Sequence, residues 1–265
     1  MAENHRSNPP NASVILIHRL FATLLAAVFA LEIFNLLAPL SFSNWLESVL
    51  FVLAIVSTMT ALTRTLPLQN VLLAAFVIAL IGGGVSFAGA RTGIPFGPVI
   101  YEIQPQIYEM PWALPLLWVL ILLNSRGVAR MILRPWRKIK TYGFWLMGIT
   151  AALATLFEFA LESFVHARHF WLWQDTHFAW QGAPPSNFFS WFAVTLLILA
   201  FVTPALINKQ LSKSRAPDFY PLWIWIGAIL VFTIESAVSK NWPAVGADAA
   251  IGIVTAVFAV RGARW

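Results

Sequence analysis

The chain has 265 residues, 59% of them hydrophobic and 11% charged, with a formal net charge of +6. An ordinary soluble domain carries about 25% charged residues, so a water-soluble globule built from this chain would lack the polar side chains to cover its surface. With no cysteine, disulfide scaffolds, thiolate metal sites and cysteine nucleophiles are excluded, and 16 prolines with 14 glycines are too few for a collagen-like or disordered chain.

A spanning helix needs about 20 mostly apolar residues. Eight stretches qualify in chain order: 14–38, 45–63, 71–89, 112–132, 142–165, 187–207, 221–239 and 244–260. The second, third and eighth are the shortest, and seven spans is the nearest alternative. The first is too long for a simple signal peptide. No soluble domain, internal repeat or low-complexity linker interrupts the series, so residues 1–265 are expected to form one integral membrane domain. The fold class is therefore an all-α polytopic transmembrane helix bundle.

With the N-terminus inside, fourteen of the 17 Lys and Arg residues fall on the inner side, six of them within 124–141. Only Arg91, Arg168 and Lys240 fall outside. That distribution obeys the positive-inside rule in every loop. It places both termini in the cytoplasm and the long loops 90–111 and 166–186 on the outer side. The basic excess thus reports topology and a lipid bilayer, and no nucleic-acid partner is expected.

Charged residues within spans are costly and mark function or specific ion pairs. At about 1.5 Å rise per residue, Glu32 lies about 27 Å into its span, Glu158 about 24 Å beyond Tyr142, and Glu235 about 21 Å beyond Pro221. Glu162 lies one turn further out than Glu158, and Asp248 about one turn below the outer end of the last span. Glu47, Glu102, Glu109 and Asp175 are outer as well. Four helices therefore bring acids to one side of the membrane, and the positive-inside rule constrains acids too weakly to explain this.

Glu158 and Glu162 are spaced i,i+4 and share a helix face. Two carboxyls on one face repel as a doubly ionised pair, so one is expected to hold a proton, as a general acid must. Alternatively the acids pair with Arg91, Arg168 or Lys240 and tie helices together. On the last helix, Ala244, Asp248, Gly252 and Ala256 form a stripe that permits close packing beside the acid. Glu158, Glu162, His166 and His169 have spacings suited to iron or zinc. Yet the chain has five histidines, two assigned to the opposite side, and the same set suits a proton network. No metal is expected.

Thirteen tryptophans is a heavy load. Trp112, Trp171, Trp173, Trp180 and Trp191 flank the outer loops, where an interfacial belt accounts for most of them. Trp171-Leu172-Trp173 followed by Trp180 is denser than a belt requires, and indole faces stabilise cations. Glycine recurs every four residues from Gly89 to Gly97, ahead of Pro98 and Pro105. This reads as a tight turn or re-entrant loop, tolerated at membrane depth only when buried in protein. No phosphate loop, nucleophile elbow or dinucleotide fingerprint is present.

Residues 91–118, Arg-Thr-Gly-Ile-Pro-Phe-Gly-Pro-Val-Ile-Tyr through Met110-Pro111-Trp112 to Pro115 and Trp118, resemble a signature of the membrane carotenoid hydratases. That family includes γ-carotene 1′,2′-hydratases and bisanhydrobacterioruberin hydratases. Trp171-Leu-Trp173 and the run Gln181-Gly-Ala-Pro-Pro-Ser-Asn187-Phe-Phe-Ser-Trp191 resemble its second block. The resemblance is strongest over residues 80–265. The chain departs from the family pattern in having Glu162-Ser163 where an Asp-Pro pair is usual, Gln181 for Tyr, Ser190 for Gly and Val99 for Tyr. It looks like a divergent member.

The resemblance implies carotenoid biosynthesis at the cytoplasmic membrane: hydration of the terminal 1,2 double bond of an acyclic carotenoid end, without a cofactor. It implies a polyene substrate, and other carotenoid-biosynthesis enzymes as protein partners. Protonation needs a carboxylic acid, and Glu158 or Glu162 is the candidate donor. Glu102, Glu235 or Asp248 is the candidate partner that orients the water. Phe96, Tyr101, Trp118, Trp171, Trp173, Asn187 and Trp191 are the expected substrate contacts. Two other readings use the same acids: an end-group cyclase, and a proton-coupled transporter or carotenoid-binding membrane protein.

Overall fold

The structure is a computed structural model describing residues 12–37, 44–174, 179–207 and 217–265. In lipid every backbone N–H and C=O must be satisfied within the protein, which favours helices over any open sheet. Eight helices run through the described residues: α1 (Ala12–Leu37), α2 (Asn44–Thr63), α3 (Leu68–Thr92), α4 (Leu114–Ile132), α5 (Tyr142–Arg168), α6 (Pro185–Val202), α7 (Tyr220–Val238) and α8 (Trp242–Ala263). Helices α3 to α8, 18 to 27 residues long, have the length and hydropathy to cross a membrane. The stretches of α1 and α2 described in full, Ile15–Ala27 and Ser48–Thr63, are apolar but shorter.

The third and eighth spans, short in the hydropathy reading, extend to 25 and 22 residues because their polar ends remain helical. Pro115, Pro185, Pro221 and Pro243 occupy the first turns of α4, α6, α7 and α8. There the missing N–H costs no intrahelical bond. Helix α3 stops at Gly93 (φ 71°), whose N–H returns to Gly89 O at 2.8 Å.

Helices α4, α5 and α7 form the centre. α4 packs on α2, α3, α5, α7 and α8, while α5 packs on α4, α6, α7 and α8. The fully buried Ile121 of α4 and Trp225 and Ile229 of α7 share one core cluster with Ile198 of α6. Large apolar side chains such as Phe76, Leu80, Phe201 and Ile253 stay exposed on the outside, as a lipid-facing surface requires.

The connections α3–α4 and α5–α6 meet at one end of the bundle, consistent with their assignment to one side of the membrane. The first carries β1 (Val99–Tyr101), β2 (Gln106–Ile107) and β3 (Met110–Pro111), and the second carries β4 (Trp171–Trp173). β1 pairs antiparallel with β4, setting Val99 opposite Trp173 and Tyr101 opposite Trp171. Side chains alternate across a strand, so Ile100 and Leu172 point away and are exposed, while the aromatic residues turn toward the helices. The hydropathy reading gave no strand here, because three residues are too few to register a period.

The glycine-rich segment folds as a tight turn, with Gly97 N–H bonded to Gly93 O at 2.7 Å. Gly97 has φ 117°, a conformation L side chains rarely adopt, and a Cβ there would lie 2.7 Å from Pro184 Cγ and 3.5 Å from Trp173 Cζ3. Gly97→Ala is therefore expected to cost about 2 kcal/mol or more through backbone strain and overpacking. Thermal unfolding in detergent measures the loss. A variant as stable as the parent would contradict this packing.

Candidate functional site

Glu158 and Glu162 both lie on the buried face of α5, 2% and 1% exposed. Trp171 Nε1 and Trp173 Nε1 donate to Glu162 Oε2 at 3.3 and 3.0 Å. This follows directly from the strand: residues two apart in β4 project on one side, so both indoles of Trp-Leu-Trp reach one carboxyl. Asn187, in the first turn of α6, is 1% exposed. Its Nδ2 donates to Oε1 of Glu162 at 3.2 Å and to Oε1 of Glu158 at 3.3 Å. One amide thus bridges both carboxyls. The groups that meet the pair are neutral N–H donors, the Asn187 amide and the indoles of Trp171, Trp173 and Trp191, and the two carboxyls meet each other.

The two acids are not equivalent. Glu162 gathers three N–H donors over its two oxygens. Glu158 takes the Asn187 amide with the Trp191 indole beside it, and its Oε2 is buried without a hydrogen-bond partner. Glu158 also lines a cavity of about 20 Å³ with Ser86, Phe96, Tyr101, Leu114, Trp171, Trp173, Asn187 and Trp191. That volume suffices for about one water molecule.

Aromatic rings pack around the cavity. Trp118 and Trp191 stack at 3.6 Å with planes 13° apart, and Phe96 sits 6.3 and 6.4 Å from their centroids. Trp118 Nε1 donates to Ser86 Oγ at 3.0 Å, and Tyr101 meets Trp171 edge-on at 5.7 Å. Burial pushes the Tyr101 phenol above its ordinary value of 10, and negative charge on the nearby Glu158–Glu162 pair pushes the same way. Tyr101 therefore stays a neutral hydroxyl at physiological pH. The turn carrying Phe96 is fastened to α6: Ser190 Oγ donates to Pro95 O at 2.7 Å and Ser186 Oγ to Phe96 O at 3.1 Å. Ser190 is one of the departures from the family pattern, and here its hydroxyl holds the turn.

Of the twelve sequence-derived site residues, the structure brings nine together: Glu158, Glu162, Phe96, Tyr101, Trp118, Trp171, Trp173, Asn187 and Trp191. The other three acids stand apart. Glu102 is exposed, though its backbone N–H bonds Phe170 O at 2.8 Å. Glu235 is held by Arg168 Nη2 at 2.9 Å. Asp248 is fully buried, 2.7 Å from Ser163 Oγ and 3.3 Å from Ser236 Oγ. Glu109 faces Arg91 at 3.9 Å on the exposed surface. Glu32, Glu47 and Asp175 lie outside the residues whose side chains are described.

His166 and His169 are exposed, away from the buried carboxyls. Among the described residues no three His, Cys, Asp or Glu side chains converge as metal ligands. The sequence reading missed Ser86 and Leu114, and it quoted Ser186 and Ser190 within a motif without giving either a role. For Ser86 the available signal was weak: a hydroxyl within an apolar helix, which needs a bonding partner.

The comparisons with known proteins give a family. A family model described as carotenoid biosynthesis protein matches residues 45–256, and the chain belongs to that family. The matched region contains every residue of the cavity wall. No curated protein and no solved structure matches.

Proposed function

Taking membership of the carotenoid biosynthesis family as the premise, we propose that the chain hydrates the terminal double bond of an acyclic carotenoid. The observation that carries this reading is the buried Glu158–Glu162 pair, bridged by Asn187 beside a cavity of water size. Glu162, with three N–H donors, is the ionised member, because N–H donors stabilise a carboxylate. Glu158, with one oxygen unpartnered, is the neutral member and donates the proton.

The steps balance as an addition of water. The Glu158 O–H bond breaks and its proton goes to C2 of the polyene end, leaving a tertiary cation at C1. Water oxygen bonds C1, and the excess proton returns to the Glu158 carboxylate. The Glu162 charge and the stacked Trp118 and Trp191 faces stabilise the cation; a cation–π contact away from water contributes about 2 kcal/mol. The water-sized cavity is much smaller than a branched isoprenoid end. The polyene enters from the lipid beside it, where the Phe96 turn is held on α6 by Ser186 and Ser190.

The test is product analysis. The chain is expressed in a bacterium accumulating lycopene or γ-carotene, and the pigments are separated and weighed by mass spectrometry. A more polar pigment heavier by one water, with an unchanged chromophore, is the expected result. An isomer of unchanged mass with a shortened chromophore would replace hydration by cyclisation. Bound but unaltered carotenoid would make the chain a binding protein or transporter.

A further inference from the structure

Ser86 does not enter the acid–base step, yet it lines the same cavity as Glu158. It lies in α3, 3% exposed, and its Oγ accepts the Trp118 indole N–H at 3.0 Å. Among the described residues its own O–H donates to no protein acceptor, although helical hydroxyls such as Thr58, Thr150 and Thr233 bond the carbonyl four residues back. The Trp118 bond fixes the hydroxyl while leaving its proton to point elsewhere. Glu158 Oε2, on the same cavity wall, is likewise unpartnered. A buried water needs two to four polar partners and a volume of about 10–15 Å³. The cavity supplies about 20 Å³, with Ser86, Glu158, Tyr101 and Asn187 as its polar groups.

Resting on the hydration reading, we propose that Ser86 is the residue that seats the reacting water, its hydroxyl donating to the water oxygen while the water hydrogen-bonds Glu158. Tyr101, a neutral hydroxyl on the same wall, is a further polar group beside the water. The arrangement fixes where the water stands when the cation forms. It also keeps the water beside the carboxylate that receives its proton, so Glu158 ends each turnover protonated. Ser86 is then a specificity-determining residue: it selects water capture over the competing fate of the cation. That competing fate is loss of a C1 methyl proton to the Glu158 carboxylate, giving a methylene isomer of unchanged mass.

The experiment compares pigments and polyene consumption from cells expressing the wild type, Ser86→Ala, Ser86→Cys and Ser86→Thr at matched protein levels. The ratio of hydrated to isomeric product is the readout. Ser86→Ala is expected to lower that ratio at least tenfold while polyene is still consumed. Ser86→Cys keeps the side-chain shape but weakens the donor, and is expected to shift the ratio the same way. Ser86→Thr keeps a hydroxyl at this position and is expected to keep the ratio. If Ser86 only held Trp118, whose face stabilises the cation, Ser86→Ala would slow polyene consumption and leave the ratio unchanged, which would overturn the proposal. A wild type that hydrates beside a Ser86→Ala variant with an unchanged ratio would overturn the water seat alone. A wild type that makes no hydrated pigment would overturn the hydration reading beneath it.

Discussion

Replacing Glu158 by Gln is expected to abolish hydrated pigment, lowering turnover about a thousandfold, the middle of the range for a lost general acid. Gln keeps the shape of Glu, and its carbonyl can accept the Asn187 amide that Glu158 Oε1 now accepts at 3.3 Å. The variant should therefore stay folded in the membrane with a melting temperature near that of the parent. Glu162→Gln is expected to behave differently. Its carbonyl could still meet the Trp171 and Trp173 indoles, but its NH2 would then face the Asn187 NH2, donor against donor. An unsatisfied buried donor costs about 1–3 kcal/mol, so this variant should lose stability together with activity. The pair of measurements, pigment yield and thermal unfolding, thus separates the two carboxyls. Retained hydration in Glu158→Gln would remove Glu158 as donor. Equal stability losses in both variants would contradict the unequal hydrogen bonding.

The division of roles shows where sequence reading reaches and where it stops. Hydropathy and Lys/Arg placement are local, one-dimensional signals, and they yield eight helices whose long loops meet at one end. The i,i+4 spacing of Glu158 and Glu162 is likewise local and survives into the structure as a shared buried face. Depth along a helix was legible, but rotation about its axis was not. Glu235 and Asp248 reach the end of the bundle where α5 finishes, as the rise per residue requires. The first turns toward Arg168 and the second toward Ser163 and Ser236. Trp171 and Trp173 were legible as a dense aromatic pair. Their common aim at Glu162 depends on β4 pairing with β1, some seventy residues earlier in the chain. Ser86 gave no signal of its own, because one hydroxyl in an apolar helix has meaning only beside the side chains that face it.

The Arg168–Glu235 pair carries the second large expectation. Arg168 is the last residue of α5, and Glu235 lies in the last turn of α7. Their side chains are 18% and 9% exposed, and the guanidinium nitrogen stands 2.9 Å from the carboxylate. A partner removed from a buried pair leaves an uncompensated charge, at a cost of about 3–5 kcal/mol. Arg168→Met should approach the lower end of that range, since the pair retains some contact with its surroundings. At roughly 2–4 °C per kcal/mol for a chain of this size, the melting temperature in detergent should fall by about 10 °C. Adding Glu235→Leu to Arg168→Met removes the stranded charge and should restore most of the loss, because an apolar pair of similar volume often replaces a buried ion pair without penalty. Failure of the double variant to recover would mean that Arg168 stabilises through its other contacts. The same variants bear on catalysis. A Glu235 whose carboxylate is occupied by Arg168 is not free to orient water, so Glu235→Gln alone should keep hydration at the same order of magnitude. Loss of hydration as deep as that of Glu158→Gln would instead place Glu235 in the reaction and make the ion pair a switch on it.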